Sequence, residues 1–143
     1  MTATTGRCLC GDVTVKVSAP MTEISGCFCE NCRRWGGGLQ FGIEVPEAKC
    51  RFEGPVKVHR SSRLAERAWC DTCGSALYFR YVEGADAGYF EIAPGLFEDA
   101  GGARLTRVVY ADRAVGGIEL AGDHERVSRA AYRAGNPHLD QEV

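Results

Sequence analysis

No stretch of this sequence approaches the roughly 20 apolar residues needed to cross a bilayer. The first seven residues, Met1 to Arg7, are small and polar, so a secretory leader is not expected. Positive charge is not in excess either. The net charge is −2 and the isoelectric point about 5.9, so no basic field attracts nucleic acid or an anionic membrane. Histidine is scarce: His59, His124 and His138 stand outside any recognisable motif. His59 reads as an ordinary strand residue, and a histidine as an extra metal ligand is the lesser alternative. Linkers and low-complexity tracts are missing. The 143 residues read as one domain over 1–135, with a loosely held tail over 136–143. The hydrophobic fraction of 45% is that of an ordinary globular protein.

Cysteine is plentiful. Seven of the eight fall in three clusters: Cys8-Leu9-Cys10, Cys27-Phe28-Cys29-Glu30-Asn31-Cys32, and Cys70-Asp71-Thr72-Cys73. Disulfides are the competing reading, since eight is even and small secreted domains are often stapled. The polar start, a chain long enough to bury a core, and cysteines one residue apart all favour metal instead. Thiolates are soft ligands that gather around zinc at about 2.3 Å. Two pairs make one closed four-thiolate site, and the triplet leaves a fourth position to fill. Closed sites are structural, whereas open ones can admit a substrate. Reduced thiols imply a cytoplasmic location. Cys50 stands alone. It either joins the triplet in a second closed site or is a small buried apolar residue.

Glycine is also frequent, with 18 residues that punctuate short alternating runs. Strands are expected at Val13–Val17, Leu39–Val45, Val56–Val58, Leu64–Trp69, Ala76–Val82, Tyr89–Ala93 and Leu105–Tyr110. Only Glu125–Ala134 reads as helical. The expectation is a mainly β domain with a weak C-terminal helix or tail. On strands, Cys8 and Cys10 project together, as do Cys27 and Cys29, and a tight turn at Glu30-Asn31 returns Cys32 to them. Cys70 and Cys73 form a turn-borne pair, relieved by Gly74.

The blocks Cys8-Leu-Cys10-Gly11-Asp12-Val13, Cys27-Phe-Cys29-Glu-Asn-Cys32-Arg33-Arg34 and Ser61-Ser62 … Arg67-Ala-Trp69-Cys70-Asp-Thr-Cys73-Gly74-Ser75 have a joint likeness. In them the chain resembles the glutathione-dependent formaldehyde-activating enzymes, grouped with the centromere-protein-V-like domains. A weaker likeness runs through Gly95-Leu96-Phe97-Glu98-Asp99 and Leu105-Thr106-Arg107. The resemblance implies small antiparallel sheets in a "β-tent". It implies a structural zinc on Cys8, Cys10, Cys70 and Cys73, and a second zinc, associated with activity, on Cys27, Cys29 and Cys32. It also implies a carbon–sulfur lyase or synthase that joins glutathione and formaldehyde into S-hydroxymethylglutathione. One departure stands out. Many members carry a late His and a following Trp, where this chain has Val108-Val109-Tyr110-Ala111-Asp112 and no Trp after Trp69.

The residues suit such chemistry. Zinc with three thiolates carries a net charge near −1. It is a poor source of hydroxide but a good holder of another thiol, which it deprotonates. That sulfur can attack an aldehyde beside it. Arg33 and Arg34 are candidates to offset the charge or to fork onto a substrate carboxylate. Trp35 either walls the pocket or packs. Gly36-Gly37-Gly38 either approaches a ligand closely or forms a flexible hairpin. Tyr110 and Asp112 are candidate proton-handling groups. The rival to an enzyme is a zinc-binding interaction module, or a redox or metal-buffering role for the triplet. A sulfur of Cys50 at the triplet would favour the module.

Overall fold

The computed structural model describes residues 3–139. Three small sheets make the fold. The first is antiparallel, in the order β1 (Thr4–Arg7), β2 (Thr14–Val17), β5 (Cys50–Glu53). The other two share β4 (Gln40–Pro46). Its first half pairs with β3 (Glu23–Cys27), with Cys27 opposite Gln40 and Ser25 opposite Gly42. Its second half pairs with β9 (Tyr89–Ile92), with Ile43 opposite Ile92. Beyond β9 follow β8 (Ala76–Tyr81), β7 (Ala65–Cys70) and β6 (Val56–Arg60), all antiparallel.

On the other side of β3 lie β10 (Arg104–Val109) and β11 (Glu125–Val127), and here the pairing is parallel. The mainly β expectation therefore holds, with one parallel corner in an otherwise antiparallel arrangement. Two short helices complete it: α1 (Glu30–Gly36) and α2 (Arg129–Gly135).

The expected strands are present with small shifts in their ends. Three further strands, β1, β3 and β5, lack a clean alternation and form because their neighbours pair with them. The expected helix begins late. Glu125–Val127 is drawn into the sheet beside Arg107–Val109, and helix starts only after Ser128, whose hydroxyl accepts from the Ala131 amide. Cys8 and Cys10 lie in the bend after β1 rather than on a strand. The turn expected at Glu30-Asn31 is the start of α1. Its signals are Glu30 in the first turn, Arg33 and Arg34 in the last, a Glu30–Arg34 pair four residues apart, and Gly37 with φ 86° as cap. Of the expected loose tail, Asn136 Nδ2 donates to the Tyr132 carbonyl, and His138 Nε2 lies 2.8 Å from Asp86 Oδ2. Residues 140–143 lie outside the described residues.

Two cores hold the sheets. Val13, Val15 and Val17 of the first sheet pack on Ile43, Val45, Ala68, Leu77 and Ile92 of the third. Phe28, Val108, Val109 and Tyr110 form a smaller cluster under α2. Burial of each such side chain contributes about 1.5–3 kcal/mol.

Candidate functional site

The four-thiolate cluster joins the first sheet to the third. Cys8 and Cys70 are fully buried, while Cys10 and Cys73 sit nearer the surface. All four sulfurs lie within 4.8 Å of one another. Cys8 and Cys10 are 3.6 Å apart, and Cys10 and Cys70 are 3.9 Å apart. A tetrahedron with bonds of about 2.3 Å has edges of about 3.8 Å, so the cluster is already shaped for zinc. Backbone amides of Val13 and Asp12 donate to the sulfurs of Cys8 and Cys10. The Ser75 hydroxyl, 3.1 Å from the Cys73 sulfur, and the Ser75 backbone hold that thiol down to about 5. Gly74, with φ 79°, turns the chain after Cys73 as expected.

The triplet is built where β3 ends and α1 begins. Cys27 is the last residue of β3, Cys29 caps α1, and Cys32 lies in its first turn. The Cys29 amide donates to the Cys27 sulfur and the Cys32 amide to the Cys29 sulfur, each at 3.4 Å. The three sulfurs lie within 4.8 Å of one another, and among the described residues no fourth Cys, His, Asp or Glu joins them. Cys50 is on β5, against the main core, and burial pushes its thiol up to about 12. It is the inert apolar residue of the two readings.

Without metal the triplet concentrates one negative charge on Cys29. Thiols of Cys27 and Cys32 donate to it, and the Cys32 amide and the Arg67 charge add to this, holding Cys29 at about 3. Its thiolate and burial push Cys27 up. Cys32 rises to about 12: the Cys27 thiol favours its charge, but the Cys29 thiolate and burial outweigh this. Metal binding must therefore release the two remaining protons.

The triplet opens on a cavity of about 160 Å³, well above the roughly 10–15 Å³ that one water requires. Successive strand residues alternate faces, and one continuous face lines it. That face carries Ser25 and Cys27 of β3, Gln40 and Gly42 of β4, and Glu91 of β9. Phe79 and Tyr81 of β8, Ala65 and Arg67 of β7, and Arg107 and Val109 of β10 complete it. Ile43, Val45, Ile92 and Ala68 point the other way, into the core. Tyr132, Arg133, Asn136 and Leu139 close the far wall.

Arg67 is the cation at the triplet. It is 3% exposed, the one buried charge among the described residues that lies wholly inside. Its Nη2 is 3.8 Å from the Cys32 sulfur, and its Nη1 donates to Gln40 Oε1. Its guanidinium lies over the Phe79 ring at 4.9 Å and the Trp35 ring at 5.9 Å. The two arginines singled out from the motif sit elsewhere. Arg34 pairs with Glu30 on the surface, and Arg33, whose Nε is buried with no hydrogen-bond partner among the described residues, does not line the cavity. Trp35 stacks on His59 at 5.7 Å and tilts against Trp69, so it packs rather than walls the cavity. Of the glycines after it, Gly37 caps α1. Tyr110 reaches the cavity from a left-handed backbone, φ 54°. Asp112 accepts from the Arg129 amide and docks α2.

Sequence reasoning did not find Arg67, Gln40, Glu91, Tyr81 or Tyr132. One signal was available for Arg67: in the run Leu64 to Trp69 it shares strand parity with Ala65 and Trp69, while Glu66, the other charge, has the opposite parity. The others share a face only once the strand order is known.

The fold and site define a small β protein with one closed and one open thiolate cluster, the open one facing a cavity. A family model described as "Glutathione-dependent formaldehyde-activating enzyme" matches residues 3–113, and the chain belongs to that family. It is 34% identical over 80 residues to an uncharacterized lyase from the fission yeast Schizosaccharomyces pombe. The match covers 55% of this chain and 58% of the relative, so the chain spans rather more than half of that protein's length. The fold is similar to a crystal structure of a Rhodobacter sphaeroides protein, with a TM-score of 0.55 and 20% identity over 66% of this chain and 87% of that one. Residues Tyr132 to Leu139 of the cavity wall lie beyond the family match.

Proposed function

We propose that the chain is a cytoplasmic, two-zinc carbon–sulfur lyase or synthase acting on a glutathione-like thiol and a small aldehyde, of the S-hydroxymethylglutathione synthase type. The observation that carries this reading is the set of three converging thiols, unclosed by a fourth ligand among the described residues, opening on a cavity. Bound zinc would supply a soft Lewis acid that favours the ionised form of an incoming thiol. The chain's own residues do the rest. Arg67 offsets the negative charge of the triplet from a dry position. Arg107 and Arg133 line the cavity and suit a substrate carboxylate. The phenols of Tyr81 and Tyr132 are held neutral by burial and serve as donors to an aldehyde oxygen. Cys50 packs in the core away from the triplet, which removes the observation that would have favoured a purely structural zinc module.

Exchange spectroscopy by NMR on glutathione and formaldehyde tests the reading. Zinc-loaded protein is expected to speed interconversion of free formaldehyde and its thiol adduct above the spontaneous rate. Equal rates with and without protein, for several small aldehydes, would leave the interaction module as the better account.

A further inference from the structure

Glu91 is a carboxylate at the centre of β9, on the face that lines the cavity. Among the described residues no donor hydrogen bonds to it and no cation forms an ion pair with it. Arg67, the cation whose charge acts on it, is committed to Gln40, Cys32 and the Phe79 ring. The sheet also makes room for it. A Cβ on Gly42 would stand 2.9 Å from the Cβ of Glu91, so any other residue there would force one of the two side chains to shift. A half-buried carboxyl with no partner is costly to a fold and marks a candidate functional position. The phenols of Tyr81 and Tyr132 respond to the charges of both Glu91 and Cys27, so the carboxyl and the triplet act on the same enclosed space.

We infer that Glu91 is a catalytic proton-transfer residue of this cavity, giving a proton to the aldehyde oxygen during carbon–sulfur bond formation and removing it during cleavage. This rests on the thiol–aldehyde reading of the site. In the forward direction the sulfur lone pair forms the C–S bond, and the C=O π pair moves onto oxygen. Oxygen takes the Glu91 proton, and the proton shed by the thiol reprotonates the carboxylate. Cleavage runs the same steps backwards, with no oxidation or reduction. The group is poised for both directions, because burial and the Glu44 carboxylate opposite it on β4 push it up to about 7. Asp86 adds to this rise and Arg67 opposes it; Arg107 lines the same cavity, as do Tyr81 and Tyr132, whose phenols stay neutral.

Glu91→Gln tests the inference in the zinc-loaded protein. General acid–base catalysis supplies about 10²–10⁴-fold. The variant is expected to lose at least about tenfold in kcat and to lose the limb of the pH–rate profile centred near 7. KM for glutathione and zinc per chain are expected to stay unchanged, and Glu91→Asp to restore part of the rate. A Gln variant with the wild-type rate and the same limb overturns the inference while leaving the thiol–aldehyde reading intact. A wild-type protein with no exchange activity overturns both. If Glu91→Gln does not fold, carboxyl ¹³C NMR of the wild type decides. The Glu91 signal is expected to titrate near 7 and to move on adding formaldehyde with glutathione. Ordinary carboxylate titration, unmoved by the substrates, overturns the inference.

Discussion

Glu91→Gln should gain a stability advantage over the wild type that grows as the solution becomes more alkaline. The wild-type carboxyl rises from 4.5 to about 7 on folding, first because burial strips its water and then because Glu44 lies opposite. The folded chain therefore keeps a proton that the unfolded chain releases. Stability is fully present below the unfolded value and is lost as pH rises through the folded one. The shift is about 2.5 units, and each unit corresponds to about 1.36 kcal/mol, so the wild type forfeits on the order of 3 kcal/mol above pH 7. Glutamine has a similar shape and does not ionise, so it escapes this loss. Urea unfolding followed by tryptophan fluorescence, with zinc in constant excess, measures both proteins from about pH 5 to about pH 8. The advantage of the variant is expected to grow across that window and then level off. An advantage that does not change with pH, or a variant weaker throughout, would refute the argument that Glu91 is an unpaired, partly desolvated carboxyl.

Cys70→Ala removes a fully buried thiol from the closed cluster, where structural zinc binding is worth about 10–16 kcal/mol. It is expected to yield insoluble or unfolded chain, read by circular dichroism. Arg67→Met keeps the bulk over Phe79 but removes the charge beside Cys32. Zinc affinity at the triplet is expected to fall by about 10–100-fold in a chelator competition, and Arg67→Lys is not expected to restore it, because one ammonium cannot reach both Gln40 and Cys32. Gly42→Ala pushes a methyl toward the Glu91 Cβ. It is expected to cost about 1–3 kcal/mol in thermal stability and to reduce exchange activity while sparing zinc content.

The strands of the third sheet were readable because one of its faces is solidly apolar: Ile43, Val45, Ile92 and Ala68 keep a period of two. The cysteine clusters were readable because spacing along the chain limits which sulfurs can meet. The helix α1 was not, because its cap is a cysteine and its length is seven residues, too short to show a helical apolar stripe. The cavity face was hidden for a different reason. Arg67, Glu91 and Tyr81 come from three strands, and what unites them is strand order, a long-range property absent from local pattern. Arg33 and Arg34 drew attention by adjacency to Cys32, yet helical geometry turns them away while Arg67 arrives from β7, 35 residues on from Cys32.

The central claim is that the two cysteine clusters divide the labour, one holding the fold and one opening to substrate. Zinc per chain by elemental analysis, on freshly reduced wild type and on Cys27→Ala, tests it most directly. The account predicts two zinc ions in the wild type and one in the variant, with an unchanged circular dichroism spectrum and no thiol–aldehyde exchange. A variant that unfolds, or one that keeps both ions and full exchange activity, would contradict it.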